Sequence, residues 1–379
     1  MIQNLVFKMK FKRIVALLMM VLVLITLISG CANKGNTTEP ANKENVSTPT
    51  GKIDASKVFK WKIQAADVSG TPRYELIKYF TKAVEEASGG RLVIELYAAD
   101  TLYPTFNAVD AVKNKVTEAA ITWGDYSAGK EPMLKLLTYR PSDPFNTLIE
   151  ADYLLRKTEG LIGEAYKKLG VTYAGSVIAV PGETFQSKKP LKTLGDYKGA
   201  KIRSSGLGQE LFQKLGAAVV TMPMTDVYNA LKLNTIDAFE SGGYADNWQS
   251  GFQEVIKYNI EPPLHAPSAL MGGHLIVNNQ VWESLPDDLK AIVKYCAESS
   301  RLYMWTELKA KDEEARLKFA EKGIETITLP EQDVQAARKA GAELLREYRS
   351  KSELCNKYID AYHDVLVQLG YSDIAKILE

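Results

Sequence analysis

The stretch from Asp196 to Trp248 gathers the residues with the clearest chemical use. It places Arg203 at the end of a short strand-like run, Lys201-Ile202-Arg203. Two apolar-framed turns follow, Met222-Pro223-Met224-Thr225 and Thr235-Ile236-Asp237-Ala238-Phe239-Glu240, and the stretch closes on Tyr244, Asp246 and Trp248. A guanidinium is a rigid fork that matches a carboxylate bidentately and stays charged at any working pH. One such cation with the carboxylate of Glu240 suits holding a small anion better than reacting with it. Closing a salt bridge between two lobes is the other use of such an arginine.

Patterns for catalysis are missing where they would be expected. The three histidines, His265, His274 and His363, form no His-Glu-x-x-His or other metal spacing, and no Gly-x-Ser-x-Gly elbow occurs. Gly124-Asp125-Tyr126-Ser127-Ala128-Gly129-Lys130 matches a phosphate-binding loop as far as its lysine. Glu131 and Pro132 then stand where that loop needs Ser or Thr for magnesium, and a carboxylate beside phosphates repels them. His265 and His274 flank a Pro/Gly-rich segment and read as structural. Trp123, Tyr126, Phe185, Tyr244 and Trp248 are candidates for the apolar walls of a small-molecule site, with core packing the alternative for each.

These residues need a scaffold, and the apolar spacing supplies one. Phe59 to Ala65 alternates as a strand, Pro72 to Ser88 has helical spacing, and Gly89-Gly90 ends that helix before a strand from Leu92 to Tyr97. A helix over Thr105 to Asn114, a strand over Ala119 to Trp123, a helix over Ala151 to Leu169 and a strand over Tyr173 to Ala179 continue the alternation. Strands at Ile202, Val219-Val220 and Ala238-Phe239 alternate with helices at Gln209 to Leu215 and Thr225 to Leu233. This pattern predicts an α/β protein with mixed sheets and ligands at the carboxyl ends of strands. From Pro286 onward three long helices are predicted: Pro286 to Lys322, Pro330 to Ser350 and Glu353 to Gly370.

The start of the chain decides the compartment. Lys8, Lys10, Lys12 and Arg13 precede the apolar run Ile14 to Ile28, shorter than the roughly 20 residues of a comfortable membrane span, and the run closes on Ser29-Gly30-Cys31. This is a secretory signal; an ordinary N-terminal anchor is the alternative. Ala32 to Lys57, rich in Asn, Lys, Thr, Glu and Pro, reads as a flexible spacer. Without the signal the chain has 43 basic and 46 acidic residues, a net of −3, and nothing points to nucleic acid. Cys296 and Cys355 are the other cysteines, so there is no disulfide framework, and a single bridge or two buried thiols both remain open.

Asp196-Tyr-Lys-Gly-Ala-Lys-Ile-Arg203 resembles the Asp-x-Lys-Gly-x-Lys-x-Arg signature of the solute-binding subunits of tripartite ATP-independent periplasmic (TRAP) transporters, the DctP-like family. Gly90 to Tyr97, Ala108 to Lys113, and Val227-Tyr-Asn-Ala-Leu231 with Thr235-Ile-Asp-Ala238 are similar to further segments of that family, in the same order. The signal resembles that of a bacterial lipoprotein, which implies lipidation of Cys31. Tyr126 to Pro132 and Glu240 to Asp246 look most like the branch that binds 2-oxo and 2-hydroxy monocarboxylates, often with a calcium or sodium ion beside the ligand.

The resemblance implies a two-lobe periplasmic-binding-protein-like fold with crossing hinge strands and long C-terminal helices. It implies ligand contacts from Arg203, Glu240, Glu183, Trp123, Tyr126, Ser241 and Tyr244, with Glu240 a possible metal ligand and no other cofactor. Two positions depart from the branch: Ser241 stands where an aromatic is usual, and Glu183 where relatives carry a basic or amide side chain. Glu183 therefore faces either the ligand or solvent.

The expected organisation is signal 1–30, linker 31–57, one lobe from 58–181 with about 270–310, and a second from 182–269 with about 311–379 and its bracing helices. The expected function is an extracytoplasmic, lipid-anchored receptor that captures a small organic acid by lobe closure and delivers it to the TRAP small and large membrane subunits for ion-driven uptake. A homodimer through the C-terminal helix is a further implication. The alternatives are a secreted α/β enzyme using Glu183 and Glu240 as acid and base, a receptor for a membrane signalling partner, and a structural lipoprotein.

Overall fold

The computed structural model describes residues 57–145, 147–268 and 270–379. The expected signal, Cys31 and all but the last residue of the linker lie outside the described residues. The first layer begins with β1 (Phe59–Ala65), whose alternate residues Trp61, Ile63 and Ala65 are buried. Helix α1 (Pro72–Ala87) starts on Thr71, whose side chain accepts from the Tyr74 N–H, with Pro72 at the first helical position. Its buried stripe is Leu76, Ile77, Phe80 and Val84. Then follow β2 (Leu92–Tyr97), α2 (Ala108–Lys113), β3 (Ala119–Thr122), α3 (Leu148–Lys168) and β4 (Val171–Val180).

Strand β4 runs on into β5 (Phe185–Ser187) of a second layer. That layer continues with β6 (Lys201–Arg203), α4 (Gly206–Lys214), β7 (Ala218–Val220), α5 (Met224–Lys232), β8 (Ala238–Glu240), α6 (Tyr244–Gln249) and β9 (Tyr258–Glu261). The chain returns to the first layer through β10 (Leu270–Asn278) and α7 (Asn279–Ser284), and the 35-residue α8 (Asp287–Glu321) leads to β11 (Glu325–Thr328). Helices α9 (Glu331–Glu347), α10 (Glu353–Gln368) and α11 (Ser372–Leu378) close the chain.

The result is the expected mixed α/β fold. One sheet has the order β2-β1-β3-β10-β4 and the other β11-β9-β5-β8-β6-β7. In the first, β1 pairs parallel with β2 and β3, while β10 runs antiparallel between β3 and β4. In the second, β6 pairs parallel with β7 and β8. Three connections pass between the sheets: residues 181–184, residues 262–269 and α8, which at about 1.5 Å per residue is long enough to span both layers.

Strand β10 occupies the segment around His274, to which the sequence pattern assigned no element. Gly272 and Gly273 look like loop residues, yet they lie in a central strand. A Cβ at Gly272 would overlap the Trp123 ring, and Gly273 has φ +57 with Ile178 where its Cβ would be. Glycine is needed there for close approach, not for a turn. His274 is buried and bonds the Tyr166 hydroxyl through Nδ1 at 2.8 Å. Cys296 and Cys355 are free and buried in different apolar clusters.

The late helices divide between the layers. Val334, Ala337 and Leu344 of α9 join the apolar cluster of the second sheet, whereas Tyr358, Ile359, Tyr362 and Leu366 of α10 pack into the cluster of α3. Ala342 and Leu345 of α9 join the α3 cluster as well, so within the expected grouping of 311–379 with the second lobe α9 packs on both clusters and α10 on that of α3. A buried strap, 138–145, runs beneath both. Gly341 of α9 lets that helix sit on Pro141, where a Cβ would come within 2.6 Å of the proline Cβ. Arg140 bonds Asp143 (2.8 Å from Nε), the Leu136 and Leu137 carbonyls and the Tyr358 hydroxyl, and the Tyr362 hydroxyl donates to Asp143 at 2.6 Å.

Removing one partner of a buried, hydrogen-bonded ion pair strands the other. Arg140→Ala should therefore cost about 3–5 kcal/mol of unfolding free energy, read by urea denaturation. A loss below about 1 kcal/mol, the range of an exposed pair, would show that the strap is not held this way.

Candidate functional site

The side chains singled out in the sequence stand at the carboxyl ends of strands. Trp123 to Tyr126 follow β3, Glu183 follows β4, Arg203 ends β6 and Glu240 ends β8, and Asp67, which the sequence did not single out, follows β1. Both sheets therefore aim their functional ends at one cavity. Its empty volume is about 530 Å³, part of it open to solvent, and its wall includes Arg73, Trp123, Asp125, Tyr126, Tyr139, Glu183, Arg203, Ser241 and Asp246.

Arg203 is 1 % exposed, and its fork is partly committed to the protein. Nε donates to the Met222 carbonyl at 3.0 Å, and Nη1 donates to the Glu240 carbonyl at 3.0 Å and lies 3.2 Å from Glu240 Oε1. Among the described residues its hydrogen bonds are made by Nε and Nη1, so part of the fork is left without a hydrogen-bond partner. Glu240, fully buried just behind the wall, also accepts the Ser205 N–H at 2.7 Å. Its Oε2 is buried without a partner.

Sequence reasoning missed Arg73, the second guanidinium. The start of α1 presents it, Asp67 ion-pairs with its Nε, and its backbone N–H donates to Asp246 Oδ1 at 2.9 Å. Its Nη1 is buried without a hydrogen-bond partner, 3.7 Å from Glu183 Oε1. The guanidinium also stacks over Trp123 at 5.4 Å. A proline-arginine pair after a threonine N-cap was the available signal, but nothing in the spacing tied residue 73 to residue 203.

Glu183 faces the site, which decides the alternative left open by the sequence. The Tyr139 hydroxyl donates to its Oε2 at 3.2 Å. Glu183, Glu240 and His265 offer acceptor atoms within 4.8 Å of one another. His265, expected to be structural, is fully buried beside the site, and neither ring nitrogen has a partner.

Burial pushes the carboxyls of Glu183 and Glu240 above the usual range. Arg73 opposes the shift at Glu183, Arg203 opposes it at Glu240, and each carboxylate raises the other. Burial, helped by the Arg203 charge, lowers His265 to about 3 and keeps its imidazole neutral.

Three candidates lie elsewhere. Tyr244 is off the cavity: its hydroxyl donates to Glu261 and its ring packs on Phe319. Trp248 also packs on Phe319, and Phe185 stacks in the second sheet's core with Tyr197 and Phe212. Each obeys the ordinary tendency of aromatics to fill cores. Gly124 to Ser127 forms a short 3-10 helix that puts Asp125 and Tyr126 on the cavity wall, while Lys130 pairs with Asp110.

The chain has clear relatives. The family model described as "DctP: Bacterial extracellular solute-binding protein, family 7" matches residues 65–351. The monocarboxylate 2-oxoacid-binding periplasmic protein of Nostoc sp. is 30% identical over 275 residues, covering 71% of this chain and 74% of that one. A TRAP transporter solute-binding protein from Bordetella bronchiseptica, with copurified calcium and picolinate, superimposes with a TM-score of 0.77 at 22% identity, covering 84% of this chain and 95% of the other. One from Pseudoalteromonas atlantica, with bound sodium and pyruvate, gives 0.75 at 24%, covering 85% and 99%.

Asp246 is held in place from outside the cavity. Asp312 of α8 accepts the Ala245 N–H at 2.8 Å at the start of α6, where only a glycine at 243 leaves room for its carboxylate. Burial raises Asp312 from 3.8 to about 7. The folded state therefore favours the protonated form, a contribution fully present below about pH 4 and lost as the pH rises toward 7. In urea denaturation from pH 4 to 8, Asp312→Asn should gain stability relative to wild type across that window and level off above it. A difference that does not change with pH would refute the assignment.

Proposed function

Because the chain belongs to the DctP family of bacterial extracellular solute-binding proteins, we propose that its cavity captures a small organic acid through Arg203, with Glu183, Glu240, Trp123, Tyr126 and Ser241 around the ligand. The protein is a TRAP solute receptor outside the cytoplasm that works with membrane subunits, and it is not an enzyme. The observation that carries the ligand reading is a buried arginine, its fork only partly committed, on a cavity wall shared with Trp123 and Tyr126. The names of the Nostoc 2-oxoacid-binding relative and the pyruvate-bound Pseudoalteromonas protein support the same class, a 2-oxo or 2-hydroxy acid or a related carboxylate.

A carboxylate entering beside Glu183 and Glu240 needs a positive charge with it. Where a calcium or sodium ion supplies that charge, the oxygens of Glu240 and Glu183 would hold it. The His265 nitrogen is a poor ligand for such hard cations. The ion would neutralise the two carboxylates against the ligand's own.

Residues 58–181 with about 270–310 form one lobe in this reading, and 182–269 with α9 belong to the other. Contacts between them fit capture by closure: Thr225 donates to Asp100 at 3.0 Å, and Arg73 reaches Asp246 and Glu183. Delivery then passes to the small and large membrane subunits. A homodimer through the C-terminal helix would require exchange of α10, whose buried face is filled by α3.

Two experiments test the reading. In a thermal-shift screen of lactate, pyruvate, longer 2-oxo acids and dicarboxylates, Arg203→Ala should weaken binding by about 10- to 100-fold, since a hydrogen bond to a charged group is worth about 1.5–3 kcal/mol. Unchanged affinity in Arg203→Ala would eliminate the clamp. Cys31, the proposed lipid attachment point, predicts that Cys31→Ala moves the protein from the membrane pellet to the soluble fraction. Retention in the pellet would count against a lipid anchor.

A further inference from the structure

The cavity is short of positive charge before any ligand arrives. Its wall carries Arg73 and Arg203 against Asp125, Glu183 and Asp246, with Glu240 buried behind. Both guanidiniums are already matched: Arg73 pairs with Asp67 and lies 3.7 Å from Glu183 and 3.9 Å from Asp246, and Arg203 faces Glu240 at 3.2 Å. A simple monoanion would add a like charge to this set, which disfavours it at separations of about 4–6 Å.

The compensating charge has a place to go. Glu183 stands on the wall, and Glu240 and His265 stand behind it, with one acceptor atom from each within 4.8 Å of the others. Glu240 Oε2 and both His265 nitrogens are buried and unpartnered. An ammonium has three N–H donors and no acceptor. Tetrahedral donors with hydrogen bonds of about 2.8 Å want acceptors about 4.6 Å apart, which this trio allows. Calcium and sodium prefer oxygen ligands, and one corner of the trio is an imidazole nitrogen.

We propose that the ligand is a small zwitterion, an α-amino acid or a close relative, with its carboxylate on Arg203 and its ammonium against Glu183. The proposal rests on the reading that Arg203 takes the ligand's carboxylate. The ammonium then supplies what a metal ion would otherwise bring, and the rest of the molecule lies against Trp123 and Tyr126.

Matched triplets that differ only at C2 test this directly: alanine, lactate and pyruvate, and leucine with its 2-hydroxy and 2-oxo analogues. Binding to the full-length protein is measured by calorimetry in EDTA and again with calcium, sodium or zinc. The amino acid of a triplet should bind in EDTA at least 100-fold more tightly than its two analogues. Glu183→Gln should cut that preference at least tenfold, and a cooperative urea unfolding transition reports separately that the variant is folded.

Oxo or hydroxy acids that bind better than their amino partners, or amino-acid binding that depends on added metal, would overturn the zwitterion and leave the carboxylate clamp standing. An amine without a carboxylate, such as ethylamine, binding as tightly as the amino acid would instead overturn the clamp, and the zwitterion with it. No binding by any triplet overturns the zwitterion as well.

Discussion

A guanidinium and a carboxylate 3.2 Å apart, both almost wholly removed from water, set the terms for everything around them. Desolvating such a pair costs several kcal/mol per ion, and mutual attraction offsets this only when the remaining donors and acceptors are also met. Here the Met222 and Glu240 carbonyls and the Ser205 N–H meet most of them. Those groups lie at or just past the ends of β7, β8 and β6, neighbouring strands of one sheet, and the register of Ile202 with Ala238 and Arg203 with Phe239 is what brings Arg203 to Glu240. The sheet leaves Oε2 of Glu240 buried and unmet, and among the described residues Arg203 makes its hydrogen bonds through Nε and Nη1.

The same logic extends across the cavity. Arg73 comes from the first residues of α1, so the N-cap at Thr71 fixes its position. Its partners come from both layers: Asp67 from the end of β1, Asp246 from α6 and Glu183 from the segment that crosses between the sheets. Asp312 of α8 in turn fixes the start of α6. A solute that touches both Arg203 and Glu183 can stabilise only the arrangement in which these layers meet, because that is where it has differential contacts.

Much of this was legible before the structure. The strands β1, β2 and β4 and the helices α1, α3, α8, α9 and α10 are long enough for their apolar period to show, and the four-residue β3 was marked by its buried-looking run from Ala119. β5, β9 and β11 have three or four residues each and carry no readable period. β10 was hidden by Gly272-Gly273, glycines demanded by Trp123 and Ile178 and not by a turn. At the site, Arg203, Glu183 and Glu240 followed from their neighbours in sequence. Arg73 and His265 did not, because what gives each its meaning lies far away in the chain: Asp246 for one, Glu183 and Glu240 for the other. Tyr244 shows the opposite case, near the site in sequence but packed on Phe319 beside an outer cleft, while Phe185 and Trp248 take the packing alternative open to them.

Glu183 joins these threads because of where it sits. It belongs to the short crossing 181–184, between the buried cavity and an outer cleft lined by Thr184, Tyr244, Glu261, Pro262 and Thr328. Its neighbour Thr184 donates its N–H to the Gly242 carbonyl and accepts the Ser241 N–H, so the crossing is tied to the turn after Glu240. An amide at 183 could accept and donate without caring about the charge of its partner. A carboxylate there must be matched by Arg73, by what the cavity holds, or by the proton that burial favours. If the solute is held as proposed, its charge is read at the segment that joins the two sheets, where one residue also faces Arg73 of the first layer.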